Sequence, residues 1–150
     1  MTSRLTIVQH NVRSFATKKT TLSNIYNQIN PDVILLNEIG KQETNLKIFN
    51  YNVHYSNKTN EPFRGAAIAI KKNIQSKLID NFHSDLIAAS IPTRHGNITI
   101  ATTYIPPRDN YLNFIDFNKL NRIQEPAILI ADLNAKHRSC LLYTSDAADE

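Results

Sequence analysis

The residues best suited to chemistry directly follow an apolar run near the end of the sequence. Residues 128–131 are aliphatic and come soon after Pro126, a pattern typical of a buried strand. Asp132 and Asn134 follow, and on an extended backbone they project toward the same side. A carboxylate holds a cation or a proton, while an amide donates to an oxyanion. This pair can therefore bind a metal-coordinated phosphate, although Asp-x-Asn alone is more typical of a turn or an Asx cap.

Three other predicted strands also end in polar side chains: Asn11 after residues 4–9, Glu38 at the end of residues 32–38, and Tyr104 at the end of residues 97–104. Active sites gather at strand ends because a rigid sheet positions side chains while loops leave room for a ligand. Hard cations such as Mg²⁺ take one or two carboxylates, water and substrate phosphate as ligands. Glu38 and Asp132 supply two carboxylates. Phosphodiester cleavage would then need a positioned water, a base for it, and groups that neutralise charge in the transition state.

Each of these residues has an ordinary structural alternative. Asn11 by itself fits a turn, Glu38 fits a surface carboxylate, and Tyr104 fits a core aromatic whose hydroxyl bonds to the backbone. The functional interpretation therefore rests on the whole set of strand ends and not on any one member.

Hydrophobic periodicity predicts the elements that would position these residues. Residues 17–29 carry apolar side chains at i, i+3, i+4 and i+7 from Leu22, the pattern of an amphipathic helix that ends before Pro31. A second helix is predicted at 110–122. Short strands are predicted at 51–56, 66–71, 77–82, 86–91 and 97–104. Strands predominate and each helix connects two strands, so the class is α/β or α+β.

Length and composition exclude several other classes of protein. The 150 residues suffice for one domain with a sizeable core, and neither an 18-residue apolar run nor a signal-peptide pattern occurs. The single cysteine, Cys140, excludes an internal disulfide framework, and no zinc-type Cys/His spacing exists. The formal charge of +4 suits an anionic partner.

The last eleven residues differ from the rest of the chain. Residues 140–150 (CLLYTSDAADE) resemble the translation of a sequencing-library transposon adapter. We therefore expect a partial domain at residues 4–139, a non-native tail at residues 140–150, and a natural chain that continues beyond Ser139.

Four segments in order carry a family resemblance: Gln9-His10-Asn11, Leu36-Asn37-Glu38, Thr103-Tyr104-Ile105-Pro106-Pro107, and Ala131-Asp132-Leu133-Asn134-Ala135-Lys136-His137. They resemble successive motifs of the endonuclease/exonuclease/phosphatase superfamily, and most closely those in the endonuclease domain of jockey-type non-LTR retrotransposons. The resemblance implies a four-layer α/β/β/α sandwich of the deoxyribonuclease I-like type, here missing its C-terminal strands. Three positions depart from the family pattern, namely Asn37, Ala131 and Leu133.

The resemblance also implies residue roles and a cofactor. Glu38 would be the principal ligand of Mg²⁺, or alternatively Mn²⁺, with Asn11 beside it. Asp132 would orient or activate the nucleophilic water, Asn134 would hydrogen-bond the scissile phosphate, and Tyr104 would support the phosphate or Asp132. Three arginines in loops near the predicted strand ends are expected to contact substrate phosphate: Arg13, Arg64 and Arg108.

The implied function is nicking of target DNA by the endonuclease of a non-LTR retrotransposon polyprotein. A reverse transcriptase domain would follow downstream, and the protein would be intracellular, acting in the nucleus without a membrane partner. The family ends in a Ser-Asp-His-type motif that none of the five histidines matches, so we expect this polypeptide to be inactive as it stands.

Two alternatives remain open from the sequence. The chain could be a repair-type apurinic endonuclease or another phosphoesterase of the same superfamily, acting on lipid or nucleotide. It could also be a non-catalytic nucleic-acid-binding remnant, because its basic charge would persist without a complete active site.

Overall fold

The computed structural model describes residues 4–40, 46–56, 63–83, 85–105, 123 and 126–134, with side chains at all of these except 80–83. The predicted helix at 110–122, Arg108 and residues 140–150 lie outside the described residues. Helix α1 (Lys19–Ile29) follows a 3-10 turn (Ala16–Lys18). The described strands are β1 (Ile7–Asn11), β2 (Val33–Asn37), β3 (Tyr51–Tyr55), β4 (Ala66–Lys71), β5 (Lys77–His83), β6 (Leu86–Thr93), β7 (Gly96–Thr103) and β8 (Ala127–Leu129).

These strands form two four-stranded sheets. Sheet A has the order β1-β2-β4-β3, and sheet B has the order β5-β6-β7-β8. Each sheet contains one parallel pair, β1 with β2 and β7 with β8, while the other neighbours are antiparallel. Since parallel neighbours finish at the same edge, β1 and β2 deliver their last residues to one end of sheet A. Strands β7 and β8 do the same in sheet B.

Strand β2 is buried on both faces, which explains its uninterrupted apolar sequence. Val33 and Leu35 point into the core between the two sheets, where they meet Ile87 and Ile100 of sheet B. The alternate side chains of β2 face a second core that contains Leu22 and Tyr26 of α1. The fold is therefore an α/β sandwich of two mixed sheets with α1 on the outer face of sheet A, as predicted. The helix expected on the other outer face falls on residues outside those described.

The first strand is displaced along the chain relative to its prediction. The alternating pattern predicts a strand at residues 4–9, whereas β1 spans Ile7–Asn11. Asp32 accounts for the later start, because its carboxylate accepts from the Thr6 N–H at 2.9 Å while its own N–H donates to the Thr6 carbonyl at 2.8 Å. Beyond the strand, the N–H of Val12 still donates to the carbonyl of Asn37 at 3.0 Å. The pairing of β1 with β2 thus continues past the last residue of β1.

Strand β8 contradicts the prediction of a buried strand. Ile128 is 38% exposed and Leu129 is 45% exposed. Within the described part of the chain β8 pairs only with β7, so it is an edge strand with one covered flank. The strand also ends at Leu129 instead of continuing to Ala131, and Asp132 makes an isolated parallel bridge to Tyr104.

A pair of isoleucine truncations tests this difference in burial. We expect Ile68→Ala to lower the free energy of unfolding by about 2–5 kcal/mol, because Ile68 is fully buried between the sheets and its loss leaves a cavity. Ile128→Ala removes the same atoms from an exposed site and should cost less than about 1 kcal/mol. Urea unfolding followed by circular dichroism measures both values, and equal losses would contradict the described burial.

Candidate active site at the strand ends

The ends of β1, β2, β7 and β8 bring four predicted residues together. Asn11 is the last residue of β1, and Glu38 directly follows β2. Tyr104 directly follows β7, and Asp132 lies three residues beyond β8, bridged to Tyr104. Because β1 and β2 belong to sheet A while β7 and β8 belong to sheet B, the site joins the two sheets.

Asn11 connects the carboxylates from the two sheets. Its Nδ2 donates to Oε1 of Glu38 at 2.7 Å and to Oδ2 of Asp132 at 3.2 Å. Its Oδ1 is buried, and among the described residues it has no hydrogen-bond partner. A buried acceptor without a partner is costly, so a group that supplies positive charge at Oδ1 would be stabilised there.

The backbone at Glu38 holds an uncommon conformation. Its φ of 54° lies in the left-handed region, as do the φ angles of Arg13 and Ser14 in the facing segment. Two hydrogen bonds fix the turn: the N–H of Ser14 donates to the Glu38 carbonyl at 2.8 Å, and the N–H of Ile39 donates to the Gly65 carbonyl at 3.2 Å. Such strain persists where the surroundings enforce it, and here it places the buried Glu38 carboxylate beside Asn11.

Tyr104 is a buried hydroxyl donor among carboxylates. Burial raises the pKa of Tyr104 far above its usual range, and the hydrogen bond to Glu38 raises it further. The negative charges of Glu38, Asp132 and Asp85 act on the pKa of Tyr104 in the same direction. The phenol therefore stays protonated at neutral pH. This predicted site residue contacts Glu38, the proposed metal ligand, through its side chain.

The Asp132–Asn134 segment forms a turn and not an extended strand end. Asn134 has a φ of 44°, and its N–H donates to Oδ1 of Asp132 at 3.3 Å, the geometry of an Asx turn. The expectation that both side chains leave one face of an extended backbone is therefore wrong. The side chain of Asn134 instead donates to the carbonyl of Ile105 at 2.8 Å. This bond holds the amide against the segment that follows Tyr104.

The three predicted phosphate-binding arginines differ in their surroundings. Arg64 lies just before β4, and its Nη1 pairs with Oδ2 of Asp85 at 2.7 Å. Arg13 is exposed, next to the site, on a left-handed turn. Arg108 lies outside the described residues.

Asp85 is a site residue that the sequence prediction missed. It is only 1% exposed, accepts from the N–H of Gly65 at 3.0 Å as well as from Arg64, and its carbonyl accepts from the N–H of Tyr104 at 3.1 Å. The strand-end pattern includes only polar residues that follow apolar runs. Asp85 precedes one, yet β6 is antiparallel to β7, so the start of β6 reaches the same end of the sheet. The feature of the sequence that could have identified Asp85 is a carboxylate directly before a strand, where the strand is antiparallel to its neighbour.

Buried hydrogen bonds between amide and hydroxyl side chains join the strands just before the site residues. Nε2 of Gln9 donates to Oδ1 of Asn37 at 2.8 Å, and Nδ2 of Asn37 donates to Oγ1 of Thr102 at 3.3 Å. Asn37 and Thr102 are fully buried and belong to different sheets. Asn37 departs from the family pattern, yet its amide oxygen and nitrogen both have hydrogen-bond partners here. Its bond to Thr102 helps to fix the separation of the two sheets.

Glu38 and Asn11 fit a hard cation. Among the described residues no group of three or more histidine, cysteine, aspartate or glutamate side chains forms a metal site. A Mg²⁺ site does not require one, since it combines one or two carboxylates with water and substrate phosphate. The Glu38 carboxylate and the unpartnered Oδ1 of Asn11 are oxygen donors of that kind.

A comparison with models of protein families identifies a family for this chain. The model of the endonuclease/exonuclease/phosphatase family matches residues 8–139. The chain belongs to this family. All the described residues of the site lie inside the matched range, and the family comprises phosphoester hydrolases. A comparison with curated proteins gives no match.

Solved structures share the fold at low sequence identity. The endonuclease domain of TRAS1, a telomere-specific non-LTR retrotransposon, has a TM-score of 0.70 at 17% identity, over 89% of this chain and 61% of that one. An AP endonuclease from Archaeoglobus fulgidus has a TM-score of 0.62 at 19% identity, over 88% and 58%. TDP2 of D. rerio, complexed with a single-stranded DNA product, has a TM-score of 0.65 at 17% identity, over 98% and 66%.

These similarities establish the deoxyribonuclease I-like fold of the chain. The chain spans about six-tenths of the length of the first two structures. Within the described residues, no helix is both long and apolar enough to cross a membrane.

Substitution of Asp85 tests how strongly the site is held. Asp85→Ala should lower the free energy of unfolding by about 1–3 kcal/mol, because it removes this acceptor from the buried N–H of Gly65 and from the partly buried guanidinium of Arg64. Asp85→Asn keeps an acceptor for Gly65 and should cost less. Denaturant unfolding measures both, and a loss below about 1 kcal/mol for Asp85→Ala would contradict a structural role for the pair.

Proposed function

We propose that the chain is a metal-dependent phosphodiesterase domain that nicks target DNA as the endonuclease of a non-LTR retrotransposon polyprotein. The observation that carries the proposal is the arrangement of Asn11 between Glu38 and Asp132, with a buried carbonyl oxygen left unpartnered among the described residues. In this proposal residues 4–139 are a partial catalytic domain that is inactive by itself, and residues 140–150 are a non-native tail.

Glu38 and Oδ1 of Asn11 would hold the cation, Mg²⁺ or alternatively Mn²⁺. When bound, the cation would neutralise charge on the substrate phosphate and favour its attack by water. Asn11 and Tyr104 both donate to Glu38, and both donors are neutral. They therefore orient the Glu38 carboxylate without cancelling its charge. The carboxylate therefore keeps the negative charge that attracts a divalent cation.

Asp132 would orient the attacking water and accept its proton. The Asx turn and the bond from Asn11 fix this carboxylate through its two oxygens, and a carboxylate retains further acceptor capacity for water. Tyr104 stays protonated beside both acids, so its hydroxyl keeps donating while charge builds up. As the water oxygen bonds to phosphorus, the bond from phosphorus to the leaving oxygen would break. The leaving oxygen would take its proton from solvent, because none of these described side chains is assigned to it.

Asn134 and the arginines would bind the phosphate. One N–H of the Asn134 amide donates to Ile105, which leaves its second N–H to donate to a phosphate oxygen. Arg13 is exposed beside the site and supplies positive charge there, while Asp85 holds Arg64 in a fixed position. Arg108 is proposed as a third contact on its sequence position alone.

Similarity to named structures supports DNA as the substrate. One of these structures is the endonuclease domain of the non-LTR retrotransposon TRAS1, and TDP2 was solved with a single-stranded DNA product. A downstream reverse transcriptase and action in the nucleus belong to the same proposal. Repair of abasic DNA is a second candidate, since an AP endonuclease shares the fold.

Metal binding is the first test of this function. Titration calorimetry with MgCl₂ or MnCl₂ should detect binding to the chain, and Glu38→Gln or Asn11→Leu should each weaken it by about tenfold or more. Asp32→Asn is the matched control, because Asp32 pairs with Lys71 at the opposite end of β2. Unchanged affinity in both site variants would exclude the proposed ligands.

Plasmid cleavage is the second test, made with the longest natural polypeptide that contains this domain. We expect Mg²⁺-dependent nicking of supercoiled plasmid, reduced about 10²- to 10⁴-fold by Asp132→Asn, which removes the base for the water. Cleavage confined to plasmid with abasic sites would favour the repair enzyme instead. Binding without cleavage, unaffected by Asp132→Asn, would favour a non-catalytic binding domain.

A further inference from the structure

Two cavities meet at Phe49 on the outer side of sheet A. One is about 620 Å³ and the other about 770 Å³, and their linings share Phe49, Tyr51 and Lys72. Phe49 is 72% exposed, more than any other large apolar residue in the described part of the chain. We name these two joined cavities the Phe49 groove.

Phe49 itself is remote from the candidate active site. Its neighbour Tyr51 pairs with Lys71, and Ile70 pairs with Val33, so Phe49 lies at the sheet end at which β2 begins. The larger cavity extends from there along β3 as far as Tyr55. The active site lies where β2 ends, five residues away along the strand, which is roughly 17 Å. A base stacked on Phe49 would therefore lie away from the catalytic site.

Phe49 is presented by a rigid turn. The N–H of Tyr51 donates to the carbonyl of Ile48 at 3.1 Å, and Asn50 has a left-handed φ of 66°. The N–H of Lys72 donates to the Asn50 carbonyl at 2.9 Å, which ties the turn to the end of β4. The Tyr51 hydroxyl donates to the Pro31 carbonyl at 2.6 Å. Such preorganisation lowers the entropic cost of binding at the exposed ring.

The charge of the groove is positive. Lys19, Lys47 and Lys72 line the larger cavity, and all three are exposed. None of the described lining residues of either cavity is acidic. Lys71 lines the smaller cavity but pairs with Asp32 at 3.1 Å, so its charge is offset. The groove is complementary to an anion that extends along it.

The smaller cavity adds amide groups to this charge: it is lined by Asn27, Asn30, Asn50 and Asn73. An amide both donates and accepts hydrogen bonds, as do the edges of nucleobases. In one groove, an aromatic face suits a base face, amides suit base edges, and lysines suit the phosphates of a nucleotide chain.

We propose that the Phe49 groove binds a short segment of single-stranded nucleic acid, separately from the catalytic site. A base stacks on the ring of Phe49, the asparagine amides contact base edges, and Lys19, Lys47 and Lys72 contact the backbone phosphates. Duplex DNA does not satisfy this site because its base faces are already stacked. The proposal does not depend on the chain being a nuclease.

Tryptophan fluorescence tests stacking at this position directly, because the chain contains no tryptophan. In Phe49→Trp, oligo(dT) or oligo(U) of about twelve nucleotides should quench the emission saturably, since the base stacks on the indole. The control His95→Trp places the probe in the exposed β6–β7 turn, beside Arg94, where no quenching is expected. Comparing the DNA and RNA oligomers identifies the preferred strand, and a blunt duplex should quench weakly.

Affinity of labelled oligomers for the otherwise unchanged chain supplies the second readout. Phe49→Ala should weaken binding by about fivefold or more, and Lys47→Ala with Lys72→Ala should weaken it further and reduce its dependence on salt. Lys77→Ala, an exposed lysine on sheet B, is the control for charge alone. The proposal is overturned if Phe49→Trp is not quenched, or if Phe49→Ala binds as tightly as Lys77→Ala.

Discussion

The amide of Asn11 is the contact on which the site depends. One Nδ2 group donates to a carboxylate from sheet A and to another from sheet B, so it sets the distance between two side chains that would otherwise repel each other. Tyr104 adds a second neutral donor to Glu38. Neither donor carries charge, and the carbonyl oxygen of Asn11 is buried without a hydrogen-bond partner among the described residues. A cation at Glu38 would neutralise the charge of its carboxylate and could also give Oδ1 of Asn11 a partner.

The fold supplies this geometry through the ends of its parallel strand pairs. Strands β1 and β2 finish together, as do β7 and β8, and the buried Asn37–Thr102 pair holds the sheets at a fixed separation below the site. Continued pairing past β1 keeps Glu38 in a left-handed conformation that costs about 1–2 kcal/mol. The stability of the two cores offsets that strain. Phe49 lies at the opposite end of sheet A, so the nucleic-acid site proposed there is a separate surface.

Local pattern predicted much of this structure. Periodicity placed α1 and most strands within two residues, because amphipathic faces and buried runs are properties of short segments. It failed at β8, whose apolar run is exposed at a sheet edge, and at Asn134, where an Asx turn replaces an extended chain. Asp85 was missed because its role depends on which end of the sheet an antiparallel strand reaches. Sheet topology decides the exposure of β8 and the position of Asp85, and short segments do not encode it. The Asx turn is local, and the Asp-x-Asn pattern by itself favours such a turn.

The most direct measurement of the central claim is anomalous X-ray scattering from crystals of the protein soaked in MnCl₂. We predict one anomalous peak within coordination distance, about 2.1–2.3 Å, of both the Glu38 carboxylate and Oδ1 of Asn11. The same soak of Asn11→Leu crystals should give a weaker peak or none. A peak elsewhere on the molecule, with none between Glu38 and Asn11, would contradict the assignment of this pair as the metal site.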